Sequence, residues 1–154
     1  MLKNIDPILN ADLLYVLRAM GHGDELVLVD SNFPATSVAA DTIMQDPIEL
    51  PGVDIPAAAR AILSVLPIDS FVDEPVIRME VVGAPDELVG CHKDMQNVVD
   101  GESGRSLTMG HIERHAFYER ARDAFAVVAA AGERRPYGCF IITKGVIAAD
   151  GRVG

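Results

Sequence analysis

His22 stands between two glycines in Gly21-His22-Gly23-Asp24, and a second acid, Asp30, closes the apolar run that follows. Imidazole is the side chain best suited to give or take a proton near neutral pH. Flanking glycines let the backbone turn sharply and let a ligand come close. Asp24 has two readings: it accepts a hydrogen bond from the ring and fixes its tautomer, or it caps the next element. A single Gly-His-Gly is a weak motif that more often marks a turn than a site.

Other chemistry is excluded more firmly. His92, His111 and His115 show neither HxH nor HExxH spacing, and Cys91 and Cys139 form no CxxC, so no metal site is expected. The two cysteines read as reduced thiols rather than a disulfide framework. There is no GxSxG elbow, GxGxxG turn or GxxxxGK[ST] phosphate loop, so no cofactor is expected. Phe117, Tyr118 and Phe125 read as core residues, and Tyr137 sits on a turn before a strand.

The 154 residues carry a net charge of −10, which argues against a nucleic-acid partner. Arg114, Arg120, Arg122, Arg134 and Arg135 cluster against that sign, as an anion or polyol site or as one solvated face. No apolar run approaches the ~20 residues that span a bilayer. The stretch MLKNIDPILN does not read as a signal peptide, so a cytoplasmic location and no membrane partner are expected.

These residues need elements to position them. Apolar residues at 13, 14, 17 and 20 predict a helix over 10–21, capped by Asn10 and ended by Gly21. ELVLVD, 25–30, predicts a buried strand delivering Asp30 at its carboxyl end, where open α/β sheets place ligands. Residues 31–41 read as loop. Asp54, Pro56 and Pro67 frame a second helix over 54–67. Residues 75–83 predict a strand with Ile77, Met79 and Val81 on one face and a wetter face of Arg78, Glu80 and Val82. A helix from Pro85 through Val99, a flexible connection, and then strand, helix, strand near 126–131 and strand 139–143 complete the pattern. Strands alternating with helices predict a single-domain α/β fold with a mostly parallel sheet flanked by helices. The expected domain spans 1–147, with 148–154 as a C-terminal tail. His22 precedes the strand that Asp30 ends, so the two need not share an edge. A helix end folded over the site, or a subunit interface, would join them.

Two stretches carry a resemblance. MLKNIDPILNADLLYVLRAMGHGDELVLVDSNFPA and ERHAFYERARDAFAVVAAAGERRPYGCFIITKGV resemble, in that order, the sugar mutarotase family of L-fucose mutarotase and D-ribose pyranase. Arg114, followed by His-Ala-Phe-Tyr-Glu-Arg, is similar to the fucose-type branch. The resemblance implies an isomerase that interconverts the α and β anomers of a reducing monosaccharide through its open-chain aldehyde. It implies His22 as proton donor and Asp30, Arg114, Tyr137 and Cys139 as sugar-binding residues, with Asp24 and Tyr118 in support. It also implies no cofactor or metal, and a ring-shaped homo-oligomer, often a decamer, with sites at subunit boundaries. The family's Tyr-x-Asn is Tyr137-Gly138-Cys139 here, and a thiol lacks the strong donor and acceptor pair of an amide. A non-catalytic sugar-binding or regulatory protein with the same fold is the alternative.

Overall fold

The computed structural model describes residues 2–151 and 153. Asn10 starts helix α1 (Ala11–Ala19) by accepting the Leu13 N–H at 2.9 Å, and Leu13, Val16 and Leu17 form its buried stripe. The turn after it takes its positive φ at Gly23 (+85°) rather than at Gly21, before strand β1 (Glu25–Val29). Residues 31–41 are not all loop, because Ala35–Ala39 form a short helix, α2, that buries Val38 and Ala39. Strand β2 (Ile48–Leu50), three residues long, lies in a stretch without visible period. Asp54 caps α3 (Ile55–Leu63) through the Ala57 N–H, with proline in its first turn.

Strand β3 (Val76–Met79) departs from the expected wet face: all four residues are buried, Arg78 included. Its guanidinium reaches the Pro85 carbonyl at 2.8 Å, so the charge is covered by the following loop rather than by water. That loop runs through Pro85 to Val89, and helix α4 begins only at Gly90 and continues to Ser103. Strand β4 (Gly110–Ile112) leads into α5 (Arg114–Arg122), whose cap is Glu113, accepting from the His115 and Ala116 N–H groups. Strands β5 (Ala126–Ala130) and β6 (Phe140–Thr143) follow. Near the C-terminus Ile147 bridges Val153, and Gly151 takes a positive φ of 83°.

The six strands form one sheet in the order β2-β5-β1-β6-β3-β4. All pairs are parallel except those of β6, which runs antiparallel between β1 and β3. Strand period sorts the core into two faces. Leu26 and Leu28 join Leu13, Val16, Ile55, Ile62 and Met95 under α1, α3 and α4. Val27 and Val29 join Val38, Phe117, Ala121 and Ile141 under α2 and α5. The protein is therefore an α/β sandwich of three layers. Among the described residues no helix is long and apolar enough to cross a membrane.

Candidate active site

Two groups of residues form at the two ends of β1. At its amino end, Gly23 donates to the Lys144 carbonyl at 2.9 Å, and Lys144 donates back to the Asp24 carbonyl at 2.9 Å. The Lys144 ammonium donates to the carbonyls of Leu17 and Met20, the last turn of α1. Cations are favourable there because unpaired carbonyls carry the negative end of the helix dipole. Asp24 accepts the Gly21 N–H at 2.6 Å, so its carboxylate braces the backbone turn. The acid on the imidazole is Asp69: its Oδ1 lies 3.2 Å from His22 Nε2. Asp69 is 3% exposed at its side chain and His22 47%, so a buried carboxylate holds a ring that is open to solvent. Phe71 stacks edge-on to that ring at 5.4 Å, and its N–H donates to Asp69 Oδ1 at 3.1 Å.

At the carboxyl end, Asp30 is buried and its carboxylate accepts the N–H groups of Asn32 (2.9 Å) and Gly138 (3.0 Å). The Cys139 thiol donates to Asp30 Oδ2 at 3.7 Å. Burial pushes the Asp30 pKa up, and these hydrogen bonds oppose that rise. Cys139 is buried, and its thiol is held well above the ordinary range by burial first and the Asp30 charge second. It therefore stands behind Asp30 as a neutral donor.

The β5–β6 connection straps across the end of β1. The Glu133 carbonyl accepts both the N–H (3.0 Å) and hydroxyl (2.7 Å) of Ser31. The buried Glu133 carboxylate accepts from Arg135 at 2.8–2.9 Å through Nε and Nη2. Those bonds lower its pKa to about 2. Gly138 allows the strap to lie this close, since a Cβ there would meet Asp30, Cys91 and Glu133 at 3.2 Å.

Tyr137, within the strap, has left-handed backbone (φ +63°), a conformation that costs a non-glycine residue of order 1–2 kcal/mol. Its carbonyl faces His92 Nε2 at 3.0 Å, and its phenol oxygen accepts the Val82 N–H at 3.3 Å. The phenol O–H stays available to donate elsewhere. Tyr118 is half-buried, with its ring 5.4 Å from that of Phe33. Burial, then the neighbouring Cys139 thiol, raises its pKa, and the Arg114 charge opposes the rise. Arg114 is exposed at the first position of α5. Three other arginines of the cluster have partners of their own: Arg120 with Glu25, Arg122 with Asp41, and Arg135 with Asp94 and Glu133.

A hollow of about 440 Å³ opens beside the carboxyl ends of β1, β2 and β5, lined by Asp30, Ser31, Phe33, Ser37, Glu49 and Ala131. Its size suits a small polar molecule. The structure thus brings Asp30, Cys139 and Arg114 within electrostatic reach of Tyr118, with Tyr137 on the strap that carries Gly138 to Asp30. His22 is not among them. A five-residue strand is ~17 Å long, and His22 and Asp30 lie beyond its two ends. Asp69 and Lys144 were not legible as site residues. The one local signal for Asp69 is an acid set inside the apolar stretch LPIDSF.

Comparison with known proteins fits this architecture. A model described as the RbsD / FucU transport protein family matches residues 3–147. Fucose mutarotase of Danio rerio is 45% identical over 150 residues, 95% of this chain and 94% of that protein. The crystal structure of protein Atu2016 is 52% identical, covers 96% of this chain and 97% of its own, and superposes with a TM-score of 0.93. The fucose mutarotase of Streptococcus pneumoniae in complex with L-fucose is 37% identical, with coverage of 96% and 100% and a TM-score of 0.84. On this full-length agreement of sequence and backbone, the chain belongs to the RbsD / FucU transport protein family.

Proposed function

We propose that this protein is a monosaccharide mutarotase of fucose type, an isomerase acting on L-fucose or a related aldose. The observation that carries the reading is the His22–Asp69 pair: an exposed imidazole held at Nε2 by a buried carboxylate. Mutarotation needs a proton given to the ring oxygen and one taken from the anomeric hydroxyl as the C1–O5 bond breaks. The aldehyde then turns about C1–C2, and the reverse transfers close the other anomer. Nothing is oxidised or reduced, so the chemistry asks only for proton carriers and sugar-holding groups. His22 gives the proton, and Asp30 accepts from a sugar hydroxyl. Arg114 and the Tyr137 phenol donate to sugar oxygens, with Tyr118 in support. Asp24 and Cys139 act through the backbone turn and through Asp30. General acid–base help is worth roughly 10²–10⁴ in rate.

As the family resemblance implies, the proposed assembly is a ring-shaped homo-oligomer such as a decamer with sites completed across subunit boundaries; the placement of His22 and Asp30 beyond opposite ends of β1 supports it. We place the protein in the cytoplasm. Residues 1–147 form the working unit and 148–154 an appendage to it. Saturation-transfer NMR on L-fucose and a panel of other aldoses tests the reading. Faster anomer exchange that His22→Ala abolishes supports it. Sugar binding without exchange would make the protein a binder, and a null result over the whole panel would sink the proposal.

A further inference from the structure

His92, on the inner face of α4, has no part in the chemistry above, yet it is fully buried and reaches a residue that has. Its ring lies edge-on to Phe140 at 5.9 Å, which fixes its plane, and Nε2 sits 3.0 Å from the Tyr137 carbonyl. A carbonyl only accepts, so the proton of a neutral ring is on Nε2. Burial, with the nearby Arg78 charge, keeps the ring neutral, with a pKa of about 4. The other ring nitrogen, Nδ1, is buried and makes no bond of good geometry, with the Glu87 backbone the polar group beside the ring. A histidine kept in a dry site is costly, and an apolar residue there would pack without that cost. What the histidine adds is one donor, aimed at the residue in the strap with left-handed backbone.

We propose that His92 is a positioning residue for Tyr137, holding the strained turn so that the phenol O–H points to the sugar. The inference rests on the reading of Tyr137 as a sugar contact. The turn is pinned at two places on one residue, the carbonyl by His92 and the phenol oxygen by Val82 N–H. Removing the first leaves the phenol on the Val82 N–H at 3.3 Å, from an exposed loop, and the Gly138 N–H on Asp30 at 3.0 Å as the remaining tethers.

The test uses the intact protein and three variants: His92→Leu, His92→Gln, whose amide N–H can replace the ring donor, and Tyr137→Phe. Anomer exchange is measured by NMR over a range of sugar concentrations. Loss of one hydrogen bond predicts a fall in kcat/KM of roughly tenfold in His92→Leu. The same principle predicts recovery to within about threefold of the parent in His92→Gln. His92→Leu should cost nothing further in a Tyr137→Phe background. An equal loss in both backgrounds overturns the proposal, because the effect then does not pass through Tyr137. Protein labelled with ¹³C-tyrosine gives a second readout that needs no activity, since the protein has three tyrosines. The Tyr137 Cα and carbonyl shifts should leave their left-handed values in His92→Leu and return in His92→Gln; unmoved shifts overturn the proposal. If the parent exchanges no sugar, the mutarotase reading falls by itself and the tyrosine shifts still decide the role of His92.

Discussion

His22 and Asp30 lie beyond opposite ends of β1, the first braced by Asp69 and the second by Gly138. If one sugar contacts both residues, as proposed, they must come from two chains, which gives the first prediction. Proteins carrying His22→Ala and Asp30→Ala are each expected to be inactive. Unfolded together and reassembled in equal amounts, they should regain about a quarter of the parental exchange rate, as one intact half-site meets another. No recovery in a properly assembled mixture would show that the site lies within a single subunit.

Asp69→Asn keeps an oxygen near His22 but removes the carboxylate charge that holds the ring. The expected loss in kcat is roughly 10–100-fold, with KM for the sugar changed much less. A variant with parental kcat would mean that Asp69 only packs.

Gly23→Ala tests the turn itself. A Cβ there meets no atom within 4 Å, but φ of +85° disfavours any side chain. The cost is expected to be ~1 kcal/mol in urea unfolding, with a larger proportional loss of exchange rate than of stability. Equal stability to the parent would show that the turn relaxes freely.

Acid should weaken the fold in two separable steps. The His92 pKa falls to about 4 from an ordinary 6.5, so the unfolded chain binds the proton first, and stability is lost as pH drops through that interval. The Glu133 pKa, about 2 against an ordinary 4.5, gives stability that is whole above 4.5 and lost as pH falls toward 2. Urea midpoints measured from pH 7.5 to 3 should show both. His92→Leu should flatten the upper step alone and Glu133→Gln the lower one alone; a parent curve that is flat from 6.5 to 4 would contradict the buried neutral His92.

The sequence made most of the frame legible because long apolar periods and side-chain caps are local signals. Asn10 and Asp54 each cap a helix three residues away, and Leu26 to Val29 alternate between two cores. What escaped depends on distant partners. Strand β2 is three residues long and gains its place from β5, some eighty residues on. Alternation along β3 puts Arg78 on a wet face, but the Pro85 carbonyl takes its guanidinium inside. The site divides in the same way. Gly-His-Gly and Asp30 stood out, whereas Asp69 meets His22 across 47 residues and Glu133 meets Ser31 across 102. No spacing rule reaches so far.

Strand β6 has a consequence for how the molecule comes into being. Among the described residues it alone joins β2-β5-β1 to β3-β4, and it comes after the other five strands in chain order. During synthesis the two half-sheets stay unjoined until Phe140–Thr143 leave the ribosome. The residues flanking that strand, Gly138 and Lys144, complete the holders of Asp30 and His22 at the same moment. Fold and reactivity thus share one closing event. A chain stopped at residue 137 should lack cooperative unfolding altogether, which urea unfolding followed by circular dichroism checks.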